Sequence, residues 1–250
     1  DIKKIIYLFR KHKIDIIYVA GGILCFKTIL SSIILKKKII WHIHDTNSNV
    51  IIKLIFNILS FFIDKIIFVS LKSQKYYQQF FIDKKNLIIN SSIDLKYFRN
   101  LKKKSFRNKT FKITVVANIN PDKDIITLIN VANEISKKTN KIIINIYGKV
   151  WDSQKKYFEN CKNLIKKYDL KNICFHKKEN NIKKIYKNSD VLLCTSRNES
   201  LPLVVCESMA MGLPIYSTDV GDIKKYIEFS KRKSGKIFKI GDYKTISNEI

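Results

Sequence analysis

The chain has 250 residues, enough to bury a substantial core in one large domain or two small ones. It carries 48 Lys+Arg against 21 Asp+Glu, a formal charge of +27, which is common in proteins that bind nucleic acid or anionic membranes. The lysines are scattered along the chain without an RNA-recognition motif, a zinc finger or an Arg-rich arm, so we predict no nucleic-acid partner.

The five cysteines lie far apart and form no C-x-x-C pair. This usage is typical of reduced thiols in a cytosolic protein. No signal peptide is visible and the first residue is Asp rather than Met, so we expect a fragment or a chain with a missing start.

The first part of the chain predicts alternating helices and strands. An amphipathic basic helix over 1–13 precedes a strand over 15–20, which stops at Gly21-Gly22. A helix over 25–35 then leads into a second strand over 38–42. This alternation indicates parallel α/β units. The glycine pair lacks the rest of a dinucleotide fingerprint, so we interpret it as a plain turn.

Two histidines, His42 and His44, lie at the end of the second strand, where open α/β sheets place their ligands. They could equally satisfy backbone groups at a strand end. A metal pair would lack a third ligand nearby in the sequence, and we predict no metal site.

The most hydrophobic run, 51–63, is too short to span a bilayer. We interpret it as a buried helix, with an interfacial membrane helix as the alternative. A strand over 65–70, a helix over 73–81 and a short strand over 87–90 follow. The charged, unpatterned stretch 101–110 suits a linker between domains.

A second α/β series begins at Phe111. It predicts a helix from Ile125, a basic amphipathic helix over 155–167 and a short helix over 182–187, and strands over 112–118, 141–147 and 172–176. We therefore predict an N-terminal domain over 1–100, a linker over 101–110 and a C-terminal domain over 111–250.

The stretch 189–222 predicts a buried strand, a loop, a helix and the next strand. Pro202 can occupy the first turn of the helix, and Gly212 marks its end, which gives a helix over about 202–211. This helix is apolar nearly all round, so it should be buried. Its one carboxylate, Glu207, would then need a partner.

A second carboxylate, Glu199, lies in the loop just before this helix. The helix N-terminus offers free N–H groups and a positive dipole end to a phosphate. Two acceptors for sugar hydroxyls beside such a helix end predict a nucleotide-sugar pocket. The alternative is that Glu199 is a solvated loop residue and that Glu207 pairs with a lysine.

The pattern Glu199, seven residues, Glu207, with Ser196 before it, resembles the donor-site signature of retaining GT-B glycosyltransferases of family 4 (glycosyl transferases group 1). The segments 207–214 and 217–221 also match that family in order. The resemblance implies an α/β fold of GT-B architecture, with two Rossmann-like parallel-sheet domains facing a cleft. The first strand and Gly-rich loop of the N-terminal domain have no counterpart here, so we expect that domain to be partial.

The same resemblance assigns roles to individual residues. Glu199 and His44 would face the donor sugar as catalytic residues, and Glu207 would accept from the ribose hydroxyls. The family's phosphate loop has Gly-Arg-Leu followed by Lys-Gly; here Lys123 keeps the Lys and Asn118 replaces the Arg, which loses a bidentate contact. The residues implied in donor binding are Lys123, Asn118, Ser196, Ser200, Leu201, Leu203 and Glu207. The donor base would lie around Gly148 and Lys177.

The resemblance implies a hexosyl- or glycosyltransferase that uses a UDP- or GDP-sugar and a glycan or lipid-linked acceptor, with retention of configuration, in surface polysaccharide synthesis. We expect no cofactor and no metal, because Lys123 and the helix N-terminus would neutralise the leaving diphosphate. We expect a cytoplasmic protein, peripheral on the inner face of the plasma membrane, with an anionic membrane surface as a further partner. Two alternatives stay open: an inactive or truncated nucleotide-binding copy, and a sugar-nucleotide epimerase on the same fold.

Overall fold

The computed structural model describes residues 1–22, 25–46, 48, 50–78, 86–99, 110–176, 179–228 and 234–250. The chain divides into two compact units, one formed by Asp1–Ser91 with Glu199–Leu201 and the other by Ser92–Asn198 with Pro202–Ile250. Each unit contains one parallel sheet. Nearly all of the predicted linker, 101–109, lies outside the described residues, so that assignment stays a prediction.

The first unit is a four-stranded sheet in the order β1-β2-β3-β4, with helices in the crossover connections. Its elements are α1 Ile2–Lys11, β1 Ile16–Ala20, α2 Phe26–Ile34, β2 Lys38–Ile43, α3 Val50–Ser60, β3 Lys65–Phe68, α4 Leu71–Gln78 and β4 Asn86–Ile88. The sequence order of the strands equals their order in the sheet, because each strand pairs in parallel with the next one along the chain.

An aromatic cluster fills the core of this unit. Trp41 on β2 packs edge-on against Phe56 of α3, with ring centroids 4.6 Å apart. Tyr77 of α4 packs against Phe56 at 5.6 Å and against Phe68 of β3 at 6.2 Å. All four rings are buried, so the hydrophobic effect on these large side chains holds α3 and α4 against the sheet.

The interpretation of the run 51–63 as a buried helix is wrong for one of its faces. Helix α3 buries Phe56 and Leu59, with Ile63 just after it. The opposite side stays exposed, because the helix lies on the sheet as an outer layer and is covered from one side only. Five of the exposed apolar side chains, which we call the α3 outer face, are Ile51, Leu54, Ile58, Phe61 and Phe62. Among the described residues, no helix has the length and apolar character that a membrane crossing requires.

The second unit is a six-stranded parallel sheet in the order β10-β9-β8-β5-β6-β7. Its elements are β5 Phe111–Val116, a 3-10 helix Pro121–Lys123, α5 Ile125–Ser136, β6 Ile142–Tyr147, a 3-10 helix Asp152–Gln154, α6 Lys155–Lys167, β7 Ile173–His176, α7 Ile182–Lys187, β8 Val191–Cys194, α8 Leu203–Ala210, β9 Ile215–Thr218, α9 Ile223–Glu228, β10 Gly235–Phe238 and α10 Tyr243–Glu249.

The strand order of the second unit reverses direction beside β5. From β5 the chain adds β6 and β7 on one side, and it then returns to place β8, β9 and β10 on the other. Open α/β sheets bind ligands outside the carboxyl ends of the strands where the order reverses. The loops that follow β5 and β8 are therefore the place to look for a site.

Helix α8 differs in two respects from its prediction. Pro202 is the N-cap residue, with an extended backbone, and does not belong to the first turn. The helix is also less buried than expected, since only Val205 and Ser208 are buried. Its eight residues cross β8 and β9 on one side only, so an apolar composition all round did not produce burial all round.

Candidate functional site

The loops after β5 and β8 are joined to each other by hydrogen bonds to backbone carbonyls. The hydroxyl of Thr195 lies 3.0 Å from the carbonyl oxygen of Lys123 and 3.2 Å from that of Asp124. The N–H of Arg197 donates to the carbonyl of Asp122 at 2.7 Å. These contacts bring Lys123 and the segment leading into α8 to one edge of the sheet, as the predicted phosphate site requires.

Asp124 is a structural centre of this edge that the sequence analysis missed. It adopts a left-handed backbone, with φ of 46°, and its side chain is only 3% exposed. The carboxylate accepts from the N–H and the hydroxyl of Thr127, at 3.2 and 2.7 Å, and so caps α5. An Asp immediately before a helix, with Thr three residues later, is an N-cap signal that the sequence already contained.

Arg197 is the second residue that was missed. Its Nε lies 2.8 Å from Oδ2 of Asp124, while its side chain remains 59% exposed. The guanidinium is thus attached at one edge to a buried carboxylate and faces solvent at the other. No motif in the sequence singles out an arginine in this loop, and the ion pair joins residues 73 positions apart.

Lys123 and Asn118 both lie in the loop after β5. Lys123 ends the 3-10 helix Pro121–Lys123, and its N–H donates to Oδ1 of Asn120 at 3.1 Å. Asn118 is exposed, and its Oδ1 accepts from the N–H of Lys149 at 3.3 Å. The amide of Asn118 therefore ties the loop after β5 to the loop after β6.

Gly148, expected near the donor base, has a packing role in the structure. A Cβ added there would lie 1.9 Å from the carbonyl oxygen of Ala117, so only glycine fits this crossing of two backbones. The other residue named for the base, Lys177, lies outside the described residues.

The segment before α8 contains three of the predicted donor-site residues, and a fourth, Leu203, begins the helix. Ser196, Ser200 and Leu201 are buried, whereas Leu203 is partly exposed. The carbonyl of Ser196 accepts from the hydroxyl of Thr218 on β9 at 2.6 Å. The N-cap residue of α8, Pro202, has no side-chain group that could cap the helix, so the first N–H groups of α8 can meet an anion.

Glu207 has a partner, and that partner is not a lysine. The hydroxyl of Tyr186 donates to Oε2 of Glu207 at 2.7 Å. Burial, followed by the hydrogen bond to Glu207, raises the pKa of Tyr186, which keeps this phenol protonated as a donor. Among the described residues, the other carboxylate oxygen, Oε1, accepts no hydrogen bond. The lysine-pairing interpretation of Glu207 is therefore wrong, and Oε1 is available to a ligand hydroxyl.

Glu199, the other carboxylate of the signature, is partly buried and is grouped with the first unit. It is therefore assigned to a different compact unit from Glu207.

The histidines of the first unit differ from each other. His42 is 8% exposed, its Nδ1 is hydrogen-bonded to the hydroxyl of Tyr18, and its buried Nε2 has no hydrogen-bond partner among the described residues. His44, the predicted catalytic histidine, is exposed, with its ring centroid 4.2 Å from that of His42. Over the described residues, no three of the His, Cys, Asp and Glu side chains cluster as metal ligands would.

The glycine pair after β1 forms a turn that packs closely against neighbouring side chains. The carbonyl of Gly21 accepts from Nε1 of Trp41 at 2.9 Å, and its φ is 124°. A Cβ on Gly22 would lie 2.1 Å from Oδ2 of Asp45, whose Oδ1 accepts from the hydroxyl of Tyr77. Asp45 directly follows His44, so this packing holds the backbone beside the predicted catalytic histidine.

The family described as glycosyl transferases group 1 matches residues 97–250. An uncharacterized glycosyltransferase of Haemophilus influenzae is 28% identical over 232 residues, which are 90% of this chain and 63% of the relative. The chain therefore spans less than two thirds of the length of that curated relative.

Two solved structures have the same fold. The Anabaena protein HepE, crystallised with UDP and glucose, is 17% identical with a TM-score of 0.87, over 99% of this chain and 70% of HepE. Staphylococcus aureus TarM, in a complex that contains UDP, is 16% identical with a TM-score of 0.82, over 99% of this chain and 50% of TarM. These likenesses confirm the predicted fold class, an α/β GT-B architecture with two Rossmann-like parallel-sheet domains.

Proposed function

Because the chain belongs to the glycosyl transferases group 1 family, we propose that it moves a sugar from a nucleoside-diphosphate sugar to an acceptor hydroxyl. The observation that carries this proposal is the junction of the loops after β5 and β8. It brings Lys123 and the uncapped start of α8 to the edge where the strand order reverses. A cation and a helix N-terminus at such an edge suit a diphosphate.

Leaving-group stabilisation is the main catalytic effect in this proposal. Breaking the bond between the sugar and the diphosphate develops negative charge on the phosphate oxygens. Lys123 and the first N–H groups of α8 stabilise that charge, which lowers the barrier without requiring a metal ion or another cofactor. Ser196, Ser200 and Leu201 lie in the loop that leads into α8, Leu203 is the first residue of the helix, and Asn118 lies on the neighbouring loop.

The carboxylates would orient the rest of the donor. Oε1 of Glu207 accepts from a ribose hydroxyl while Tyr186 holds Oε2. Glu199 accepts from hydroxyls of the donor sugar, and His44 is a further residue that we propose to contact that sugar. Retention of configuration follows from the family resemblance, with the acceptor attacking from the side of the leaving group.

We propose a UDP-sugar as donor in preference to a GDP-sugar. HepE was crystallised with UDP-glucose as well as with UDP, and TarM with UDP. The proposed acceptor is a glycan or a lipid-linked glycan in surface polysaccharide synthesis, on the strength of the family resemblance.

We also propose that the protein works at the cytoplasmic face of an anionic membrane. Residues 1–110 carry 22 Lys+Arg against 6 Asp, and the same part of the chain exposes the α3 outer face. An apolar helix face together with surrounding positive charge is typical of interfacial membrane binding.

Ligand-dependent stability and donor turnover test the proposed function together. The melting temperature would be measured with UDP and GDP, and the release of nucleoside diphosphate with the matching sugar donors. A nucleotide present at 100 times its dissociation constant should add roughly 2.7 kcal/mol to the free energy of unfolding. Binding without turnover of any donor, with acceptors supplied, would point to an inactive copy. Failure of both nucleotides to shift the melting temperature at millimolar concentration would refute the donor site itself.

A further inference from the structure

The guanidinium of Arg197 has one edge engaged and one edge open. Its Nε lies 2.8 Å from Oδ2 of Asp124, and the side chain is 59% exposed. Among the described residues, the Arg197 side chain has no ion-pair partner other than Asp124. The guanidinium therefore keeps N–H donors beyond Nε, and more than half of the side chain is open to solvent.

Asp124 is fixed strongly enough to orient that group. Its left-handed backbone, its burial and its two hydrogen bonds from Thr127 leave the carboxylate little freedom. The N–H of Arg197 is also held, by the carbonyl of Asp122. With both ends of the residue attached to the loop after β5, the guanidinium loses less conformational entropy when it binds an anion.

The open edge belongs to the same end of the sheet as the proposed phosphate site. Arg197 lies three residues after β8 and six before the first residue of α8, and its partner Asp124 directly follows Lys123 in the chain. Strands β5 and β8 are paired neighbours, so their carboxyl-end loops are adjacent. Lys123, Arg197 and the N-terminus of α8 thus belong to adjacent loops at this end of the sheet.

We propose that Arg197 is a diphosphate-binding residue of the donor site and that Asp124 is the residue that positions it. The two terminal amino groups donate to oxygens of the diphosphate, in the bidentate geometry that phosphates share with carboxylates. The inference rests on the proposed function. The competing explanation is that Arg197 does no more than neutralise a buried carboxylate.

Nucleotide titration of Arg197 variants separates these explanations. UDP, UMP and uridine would be titrated calorimetrically into the wild type, Arg197→Gln, Arg197→Lys and the control Arg10→Gln, which removes the same charge from α1. If UDP proves not to bind the wild type, GDP, GMP and guanosine replace UDP, UMP and uridine in the titrations. Arg197→Gln should weaken binding of the diphosphate roughly 10- to 100-fold and leave the affinity for the nucleoside unchanged. The affinity of Arg197→Lys for the diphosphate should lie between those of the wild type and Arg197→Gln, because lysine keeps the charge and lacks the paired donors of the guanidinium.

A double-mutant cycle tests the positioning role of Asp124. Asp124→Asn can still cap α5 and tolerate the left-handed backbone, but it releases the guanidinium. Asp124→Asn should weaken binding of the diphosphate in the wild-type background and should have no further effect on that affinity when Arg197→Gln is already present. An equal effect in both backgrounds would mean that Asp124 acts without Arg197.

The possible failures are distinguishable. If the wild type binds UDP or GDP and Arg197→Gln binds it within twofold of the wild type, Arg197 is a structural residue and the inference is wrong. The same holds if Arg197→Gln weakens the nucleoside as much as the diphosphate. If the wild type binds neither nucleotide, the proposed function fails and the inference fails with it.

Discussion

Glu207 shows at the residue scale how one side chain can serve both the fold and a ligand. Tyr186 occupies Oε2, and Oε1 accepts no hydrogen bond among the described residues. A carboxylate held in this way is oriented before a ligand arrives, so less conformational freedom is lost on binding. Glu199 is proposed to contact the donor sugar, whereas Glu207 contacts the ribose, and the two carboxylates should therefore fail in different ways.

Glu207→Gln should weaken binding of a bare nucleoside diphosphate, because it impairs the proposed acceptor for the ribose. Glu199→Gln should leave that affinity nearly intact and slow transfer by roughly 100-fold or more, if its contact with the sugar tightens in the transition state. Calorimetric titration with UDP, set beside turnover of the intact UDP-sugar, makes the comparison. Equal loss of UDP affinity in both variants would contradict this division of roles.

His42 should make the stability of the first unit depend on pH. Burial, followed by repulsion from the neighbouring His44, lowers the pKa of His42 in the folded protein. The unfolded chain therefore binds a proton at His42 more readily than the folded protein does. The contribution of neutral His42 to stability is complete above the pKa of the unfolded state, about 6.5, and is lost as the pH falls through the lower pKa of the folded state. Urea unfolding at several pH values should show a steeper loss on acidification in the wild type than in His42→Gln. The exposed His12→Gln serves as control, and parallel curves for all three proteins would count against the explanation.

At the scale of elements, strands were easier to predict than the surroundings of helices. Isoleucine-rich runs such as 141–147, which stops at Gly148, indicate strands from local signals alone. The run 51–63 is apolar at almost every position, so its period could not show which face the sheet would cover. The partners that shape the candidate site are distant in sequence: Tyr186 lies 21 residues before Glu207, and Asp124 lies 73 before Arg197. Contacts of that kind depend on strand order, which local patterns do not contain.

Because the loops after β5 and β8 are adjacent, a positive charge removed at Arg197 on the second loop can be supplied at Asn118 on the first. Asn118 is exposed on the first loop, where the family resemblance implies an arginine. In the Arg197→Gln background, Asn118→Arg should therefore recover UDP affinity, by roughly tenfold for one charge-assisted contact. Asn118→Gln, of similar polarity without the charge, is the matched control. The relevant measurement is calorimetric affinity, and recovery by Asn118→Gln to the same degree would mean that charge is not the cause.

At the scale of the whole molecule, the apolar and basic surfaces of residues 1–110 should produce salt-sensitive membrane binding. Phe61→Ser combined with Phe62→Ser should weaken binding to anionic vesicles at least tenfold, since burying one aromatic side chain contributes about 1.5–3 kcal/mol. Rising salt should weaken the wild type, because the screening length falls to about 10 Å at 0.1 M. Leu95→Ser, at a residue 66% exposed in the second unit, is the control. Vesicle sedimentation gives the partition coefficient, and equal binding to neutral and anionic vesicles at low salt would refute the electrostatic part.

The α3 outer face also predicts how self-association of the purified protein depends on salt. Five large apolar side chains on and just after one helix are an adhesive patch, and a formal charge of +27 is what keeps such molecules apart. Added salt shortens the reach of that repulsion and leaves the attraction between patches in place. The protein should therefore disperse best in dilute buffer and cluster reversibly as salt is raised, whereas a mild detergent that covers the patch should keep it monomeric at any ionic strength.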